Sequence, residues 1–534
     1  MLLILLPPVL YILAAAALLI LERFNVKVGI SWLVAVVVTL VNWVLLLVLR
    51  LQVPSLLRIT SSGPFSDRAA WFFTLDPISY PYALSIAGLL LAIVLTAAAR
   101  YNFNEKAGAP WAANLVLGAS GYLAVTSGSF LTLVLAWTIL DVVDFIVLVT
   151  LIKKPAQVQQ GLVTFAARLF GTMLAVWGMV SAGPSGEAQV LTGISPQTGV
   201  FLLLGAGLRL GVVPLHGAVA DDNRTRRGLG TMLRLVAAAS SLCVVGRLPA
   251  NVVTPDWATF LLLMIALAVF YSAIQWLTAP DELSGRPFFV IALAGLATAA
   301  AVRGQPQAVV AWGIALILSG GILFLYHARQ TSLTVLVGFG LIGLSGLPFT
   351  PAASGWTGLV VLPFNLLDVF FILGFTVLLI GYARQALVPG QPLQELERWR
   401  QPVYPIGLGI LIITQWVLGV FGWPGSFSVG TWWASLITFL LVTGVFVFRR
   451  FGPGSTSLEG STSWFRVVLQ RSSRIFASIF SLQWVYRLAG GGFKLAQGFV
   501  DAATRVLESE GGVLWALTLL ALVLSLLRQQ GGMP

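Results

Sequence analysis

The chain has 534 residues, of which 58% are hydrophobic and 9% charged, with a mean hydropathy of +0.93. A soluble domain carries about 25% charged residues, so the composition excludes a cytosolic enzyme, a nucleic-acid-binding protein and a disordered scaffold. The formal net charge of +12 is spread between long apolar runs, where basic residues set membrane orientation and do not form a binding patch.

A bilayer core about 30 Å thick needs about 20 apolar residues per helix. Runs of that size fall at 3–22, 29–50, 81–99, 111–128, 130–152, 161–181, 199–216, 229–247, 258–277, 287–302, 307–327, 332–350, 358–380, 405–422, 430–448 and 512–528. The sequence therefore predicts an all-α polytopic membrane protein with 16 spans. The first run has no basic segment before it and is longer than the apolar part of a signal peptide, so it reads as a retained helix. The single cysteine, Cys243, sits in an apolar run and offers neither a disulfide nor a Cys-based metal cluster.

Orientation follows from the basic residues. With the N-terminus outside, the loops after odd-numbered spans and the segment after the fifteenth hold 22 Lys and Arg, against 6 on the other side. That excess places the chain in a cell inner (cytoplasmic) membrane with its N-terminus outside. Between the last two spans, 461–508 interleaves Trp464, Val467, Val468, Ile475, Phe476, Ile479 and Phe480 with Arg466, Arg471, Arg474 and Arg487 at helical spacing. This reads as an amphipathic helix on the cytoplasmic surface, serving either as an interfacial anchor or as a brace against other subunits.

Six ionisable residues lie inside the expected spans: Asp141, Asp144, Arg168, Arg209, Arg234 and Asp368. Each costs at least a few kcal/mol at the bilayer centre unless it meets a partner or a cavity. Asp141 and Asp144 are three apart and share one helix face. Neighbouring carboxylates suit a site that takes up and releases protons near neutral pH; buried structural ion pairs are the competing reading. The seventh span is weakened by Gly211 and Pro214 beside Arg209, and Pro214 frees a backbone carbonyl able to line a polar path toward His216. The twelfth carries Pro348 and Pro351. If spans four to eight and nine to thirteen form two halves, each break falls in the fourth helix of its half, the pattern of inverted five-helix repeats. The expected organisation is N-terminal helices over 1–110, repeats over 111–247 and 258–380, further helices over 381–448, the surface helix over 461–508 and a last span at 512–528.

These residues resemble the antiporter-like subunits shared by respiratory complex I, membrane-bound hydrogenases and Mrp-type cation/proton antiporters. Arg209 to His216, with Pro-Leu-His at 214–216, looks like the family's Lys-Ser-Ala-x-x-Pro-Leu-His segment, and Asp221 matches the aspartate that follows it. Arg234 falls where the family's next helix carries histidine or lysine. Leu75-Asp76-Pro77-Ile78-Ser79, Asp281 and Ser345-Gly346-Leu347-Pro348 match further family segments. Sixteen spans with an amphipathic helix before the last look like the distal subunit of complex I. The resemblance covers about 70 to 528 and implies a non-redox membrane subunit, embedded among other membrane subunits, that takes part in proton or cation translocation.

The departures are as informative. The family's Trp-Glu of span five reads Trp137-Thr138, leaving Asp141 one turn on as the substitute acid. Lysine of span seven becomes Arg209, which does not deprotonate in a protein. The central lysine of span eleven reads Gly320, and the Ser-Lys after the second break reads Gly355-Trp356. Two expectations compete: a divergent translocating subunit with Asp141 and Asp144 as the protonatable pair, tuned by Arg209 and Arg234, or a structural subunit that has stopped pumping. A free-standing secondary transporter is a third. His216 either extends the polar path or donates to a carbonyl as a structural histidine. The sequence offers no haem-type histidine pair, phosphate-binding glycine loop or quinone or NADH site, so no cofactor and no metal is expected.

Overall fold

The computed structural model describes residues 2–24, 28–59, 71–99, 108–151, 155–181, 190–191, 193–216, 227–327, 331–388 and 398–451, with isolated positions between 491 and 525. The chain divides into two compact units, Met1–Ser473 and Arg474–Pro534. In the first, fifteen α-helices follow one another among the described residues: α1 (Leu6–Arg23), α2 (Val28–Leu49), α3 (Ser79–Ala97), α4 (Ala109–Thr126), α5 (Phe130–Leu151), α6 (Pro155–Ser181), α7 (Pro196–Leu210), α8 (Arg227–Gly246), α9 (Pro255–Thr278), α10 (Glu282–Val302), α11 (Pro306–Leu325), α12 (Thr331–Leu344), α13 (Leu366–Ala386), α14 (Arg400–Phe421) and α15 (Trp432–Phe451). Each answers one of the first fifteen expected spans. In the second unit the described positions are isolated helical residues. The expected surface helix at 461–508 and the last span at 512–528 lie almost wholly outside the described residues.

Among the described residues, 11 helices are long and apolar enough to cross a membrane. The apolar stretches Leu333–Leu344 and Trp432–Val447 are shorter. Helices α3 and α11 are buried along their whole apolar window, whereas α2 and α6 bury only 28% of theirs. The former make the centre of the bundle; the latter present apolar side chains such as Leu33, Val37, Phe170 and Trp177 outward, as helices bordering lipid or another membrane helix must.

Two differences from the expected spans have a clear cause. Helix α12 stops at Leu344, and the chain then runs through Gly346 (φ +71°), a short 3-10 turn at Ala353–Trp356 and Pro363 before α13 starts at Leu366. The expected 358–380 span therefore begins eight residues late, because prolines 348, 351 and 363 cannot continue an α-helix hydrogen-bond ladder. The fold is also not purely helical. Strands β1 (Ser55–Ile59) and β2 (Trp71–Leu75) pair antiparallel, with Leu57 opposite Phe73. Phe73 bridges on to Ser127, and Ser129 to Val190, tying together the ends of α4 and α5 and the approach to α7.

Several basic residues assigned to loops turn out to hold helices together. Arg286 lies within α10, fully buried, and donates to Thr231 Oγ1 at 2.9 Å. Arg227 pairs with Glu282 at 2.6 Å and donates to the Phe324 carbonyl. Arg247, just beyond α8, pairs with Asp76 at 3.1 Å and donates to the Ser127 carbonyl. Asp76 also accepts from the backbone N–H of Ile78 and Ser79, so the Leu-Asp-Pro segment starts α3 and anchors it to α8. Asp281 caps α10 by accepting from Ser284 N at 2.7 Å.

Candidate ion-translocation site

The site is built where α7 ends early. At 15 residues α7 is about 22 Å long, too short for a bilayer core of about 30 Å. Gly211 closes it in the left-handed region (φ +75°), a conformation open to glycine at no steric cost. The chain then turns through Pro214, with Val212 and Leu215 bridged. Arg209 sits next to this end, yet it reaches Asp141, ten residues or about 15 Å from the end of α5. The broken end of α7 thus lies beside the middle of α5.

Arg209 donates to both oxygens of Asp141, from Nη1 to Oδ2 at 2.5 Å and from Nη2 to Oδ1 at 2.9 Å. It also donates to Thr172 Oγ1 at 2.8 Å and the Arg168 carbonyl at 3.2 Å. Its guanidinium lies 4.2 Å from the centre of the Trp137 ring. One turn on, Arg168 donates to Asp144 Oδ2 and comes within 4.0 Å of Asp141 Oδ1. Asp141, Asp144, Arg168 and Arg209 are all less than a tenth exposed. Asp144 Oδ1 is buried with no hydrogen-bond partner among the described residues.

Beside this network lies a cavity of about 30 Å³, lined by Asp141, Asp144, Arg168, Thr164 and Arg234 and running toward Leu148 and Gly161 near the α5–α6 turn. That volume holds about two waters, and the lining is polar enough to keep them. Small residues make it: Gly161 on α6 and Gly230 on α8 contribute no side chain to its wall.

The structure therefore joins Asp141, Asp144, Arg168, Arg209 and Arg234, brought from four helices. His216, past the broken end of α7, has Nδ1 3.1 Å from the Pro214 carbonyl oxygen. Asp221 lies outside the described residues. Asp368 is not mid-span: it is in the first turn of α13, shares a capping box with Asn365 and pairs with Arg303 at 2.8 Å. Gly211 and Pro214 break the chain after α7, as Pro348 and Pro351 do after α12. Trp137, met in the sequence only as the first residue of the Trp137-Thr138 pair, and Thr172 were not read as site residues, although each is four residues from a charge already singled out and so on its face of the helix.

The second half lacks an equivalent site among the described residues. At Gly320, where the resemblance would have lysine, an added Cβ would lie 2.8 Å from Phe289 Cε1 and 3.3 Å from Phe324 Cε2. Phe289 in turn packs on Trp276, Phe324 and Tyr382. Trp356, at the other lysine position, is fully buried between Trp312 and Phe375, with ring centroids 5.3 Å away in each case.

Among the solved structures that share this fold are chains of the following membrane assemblies. A chain in the structure of the Mrp complex from Dietzia sp. DQ12-45-1b superposes with a TM-score of 0.74 at 15% identity, over 99% of this chain and 63% of that one. This chain thus spans less than two thirds of that Mrp chain. A chain of the membrane-bound sulfane sulfur reductase, an archaeal respiratory membrane complex, superposes with a TM-score of 0.69 at 17% identity, over 98% and 99%. A chain of respiratory complex I from Thermus thermophilus with bound aureothin gives 0.54 at 15% identity, over 78% and 98%. No family model and no curated protein matches the sequence. The chain shares its fold with a chain of each of these membrane assemblies.

Proposed function

We propose that the chain is a divergent antiporter-like membrane subunit of a multi-subunit, ion-translocating complex of the complex I, Mrp or hydrogenase type, and that its first half alone carries protons or cations. The observation that carries this reading is Asp144. One carboxylate oxygen is held by Arg168 and the other is buried with no partner among the described residues, on a cavity with room for water. A carboxylate so placed takes a proton on its open oxygen and passes it to water, while Arg168 keeps the charged form affordable. Asp141, locked by Arg209, orients that neighbour. Arginine itself relays no proton, so the acids and cavity water supply the path.

The two halves support the reading of inverted repeats, 111–247 and 258–380. In each, the first helix packs on the fifth (α4 on α8, α9 on α13) and the third on the fourth (α6 on α7, α11 on α12). In each, a glycine with positive φ follows the fourth helix, Gly211 or Gly346. Other membrane subunits are the partners, the N-terminus faces outward, and the 461–508 segment lies on the cytoplasmic side of the inner membrane. The test is Asp144→Asn in the assembled complex, with proton and sodium movement followed in vesicles. Loss of most of the flux at normal assembly is expected; unchanged flux sinks the proposal.

The doubly bonded Arg209–Asp141 pair favours a second reading, a structural subunit that no longer pumps. On that reading, neutralising 141, 144, 209 or 234 reduces assembly and leaves the activity per assembled complex intact.

A further inference from the structure

The cavity beside Asp144 is drawn out along two helices. On α5 it runs from Asp141 past Asp144 and Phe145 to Leu148, and on α6 from Arg168 past Phe165 to Gly161. A span of seven residues on each helix makes it about 10 Å long. One end is filled: Arg209 holds Asp141 and Thr172 there and lies on the Trp137 ring, and all four are buried. The other end points to where α5 stops at Leu151 and α6 starts at Pro155, and its walls are apolar. The Phe145 and Phe165 rings stack with centroids 4.8 Å apart and planes 32° off parallel. Beyond them, Leu148 Cδ2 occupies the place that a Cβ on Gly161 would take. Phe145, Phe165 and Leu148 are half-buried, whereas Asp141, Asp144 and Arg168 are buried. The cavity thus passes from a charged floor to an apolar neck.

We infer that Leu148, seated on Gly161 and backed by the Phe145–Phe165 stack, is the gate between this cavity and the α5–α6 end of the bundle. Water reaches Asp144 when the Leu148 side chain rotates off Gly161. A closed apolar constriction stops water and ions because neither is solvated inside it. Leucine on glycine suits a gate that must also open. Gly161 has no side chain to interlock with Leu148, no hydrogen bond holds the pair, and rotation between staggered positions is fast. The charged floor cannot open in this way, since each guanidinium–carboxylate bond broken there strands a buried charge. That protons use this route rests on the proton reading of Asp144; that water passes here does not.

The test uses the full-length chain in its complex, in nanodiscs, with iodoacetamide as a small polar thiol reagent. Cys243→Ala removes the native thiol, and Leu233→Cys places one on the α8 wall of the cavity. Mass spectrometry follows the rate at which that thiol is alkylated. In this background Leu148→Ala is expected to speed alkylation by about tenfold or more, and Leu148→Phe to slow it. Val142→Ala, on the outward face of the same helix, should leave the rate unchanged. A rate indifferent to residue 148, or raised as much by Val142→Ala, overturns the gate. Should Leu233→Cys fail to fold, Gly230→Cys reports from the same wall. The result separates from the proton reading. If alkylation follows residue 148 while Asp144→Asn leaves flux unchanged, the gate stands and the proton reading falls. If alkylation ignores residue 148 while Asp144→Asn abolishes flux, the gate falls and the proton reading stands.

Discussion

Arg209 grips Asp141 with two nitrogens, at 2.5 and 2.9 Å, while its guanidinium rests 4.2 Å from the centre of the Trp137 ring. The contact joins the broken end of α7 to the middle of α5, and both partners are buried. Two parallel charge-assisted bonds fix geometry as well as adding energy. Replacing such a pair with apolar residues is often tolerated, whereas removing one member strands a charge. Asp141→Ala is therefore expected to destabilise the chain by about 3–5 kcal/mol, and Asp141→Ala with Arg209→Met to recover most of that loss. Denaturant unfolding in detergent compares the two. Equal destabilisation by single and double variants would show that the pair is not the source.

The aromatic filling of the second half is tested at Gly320. Its Cβ position lies 2.8 Å from Phe289 Cε1, closer than real Cβ contacts come. Adding a methyl there overpacks the cluster, at a cost of about 1–3 kcal/mol. Gly320→Ala should lower the unfolding midpoint, and Phe289→Leu in the same chain should restore part of it. Additive losses in the double variant would separate the two positions.

Asp368 is expected to act through the helix start. It bonds the Asn365 N–H at 3.2 Å and Arg303 at 2.8 Å. Asp368→Ala removes both and should destabilise α13 by about 1–2 kcal/mol, the usual scale for a lost cap. Flux per assembled complex should stay at the wild-type level. A flux lost at normal assembly would make Asp368 a translocating acid and give the second half a working path.

The helices were legible because apolar runs of span length leave little choice of structure in a bilayer. The β1–β2 pair was not, since five-residue strands are outweighed by the longer apolar runs on either side, and their pairing across 60–70 is a long-range event. At the candidate site the pattern was similar. Asp141 and Asp144 announced themselves by their rarity in a membrane and their three-residue spacing. Nothing local announced that Arg209 would choose Asp141 and Arg168 would choose Asp144. The loop assignment of Arg286 failed for a related reason: hydropathy counts a charge as a boundary, whereas α10 carries it inward to meet Thr231 on α8.

Sequence alone determined the class and much of the layout: a membrane chain, its helices in order, the two breaks and the set of intramembrane charges. These follow from local physics, the solvation cost of charge and the backbone limits of proline and glycine. Tertiary structure decided what the charges are for. It gathered four of them around one small cavity with Arg209 bonded to Asp141 behind them, set Asp368 in a helix cap, and filled the lysine positions of the second half with Phe289 and Trp356. Such outcomes depend on which helix faces meet across the bundle, and that information is shared between segments far apart in the chain. The low charge content marked the protein as membrane-bound; the packing of α5 to α8 shows that the first half has an electrostatic centre.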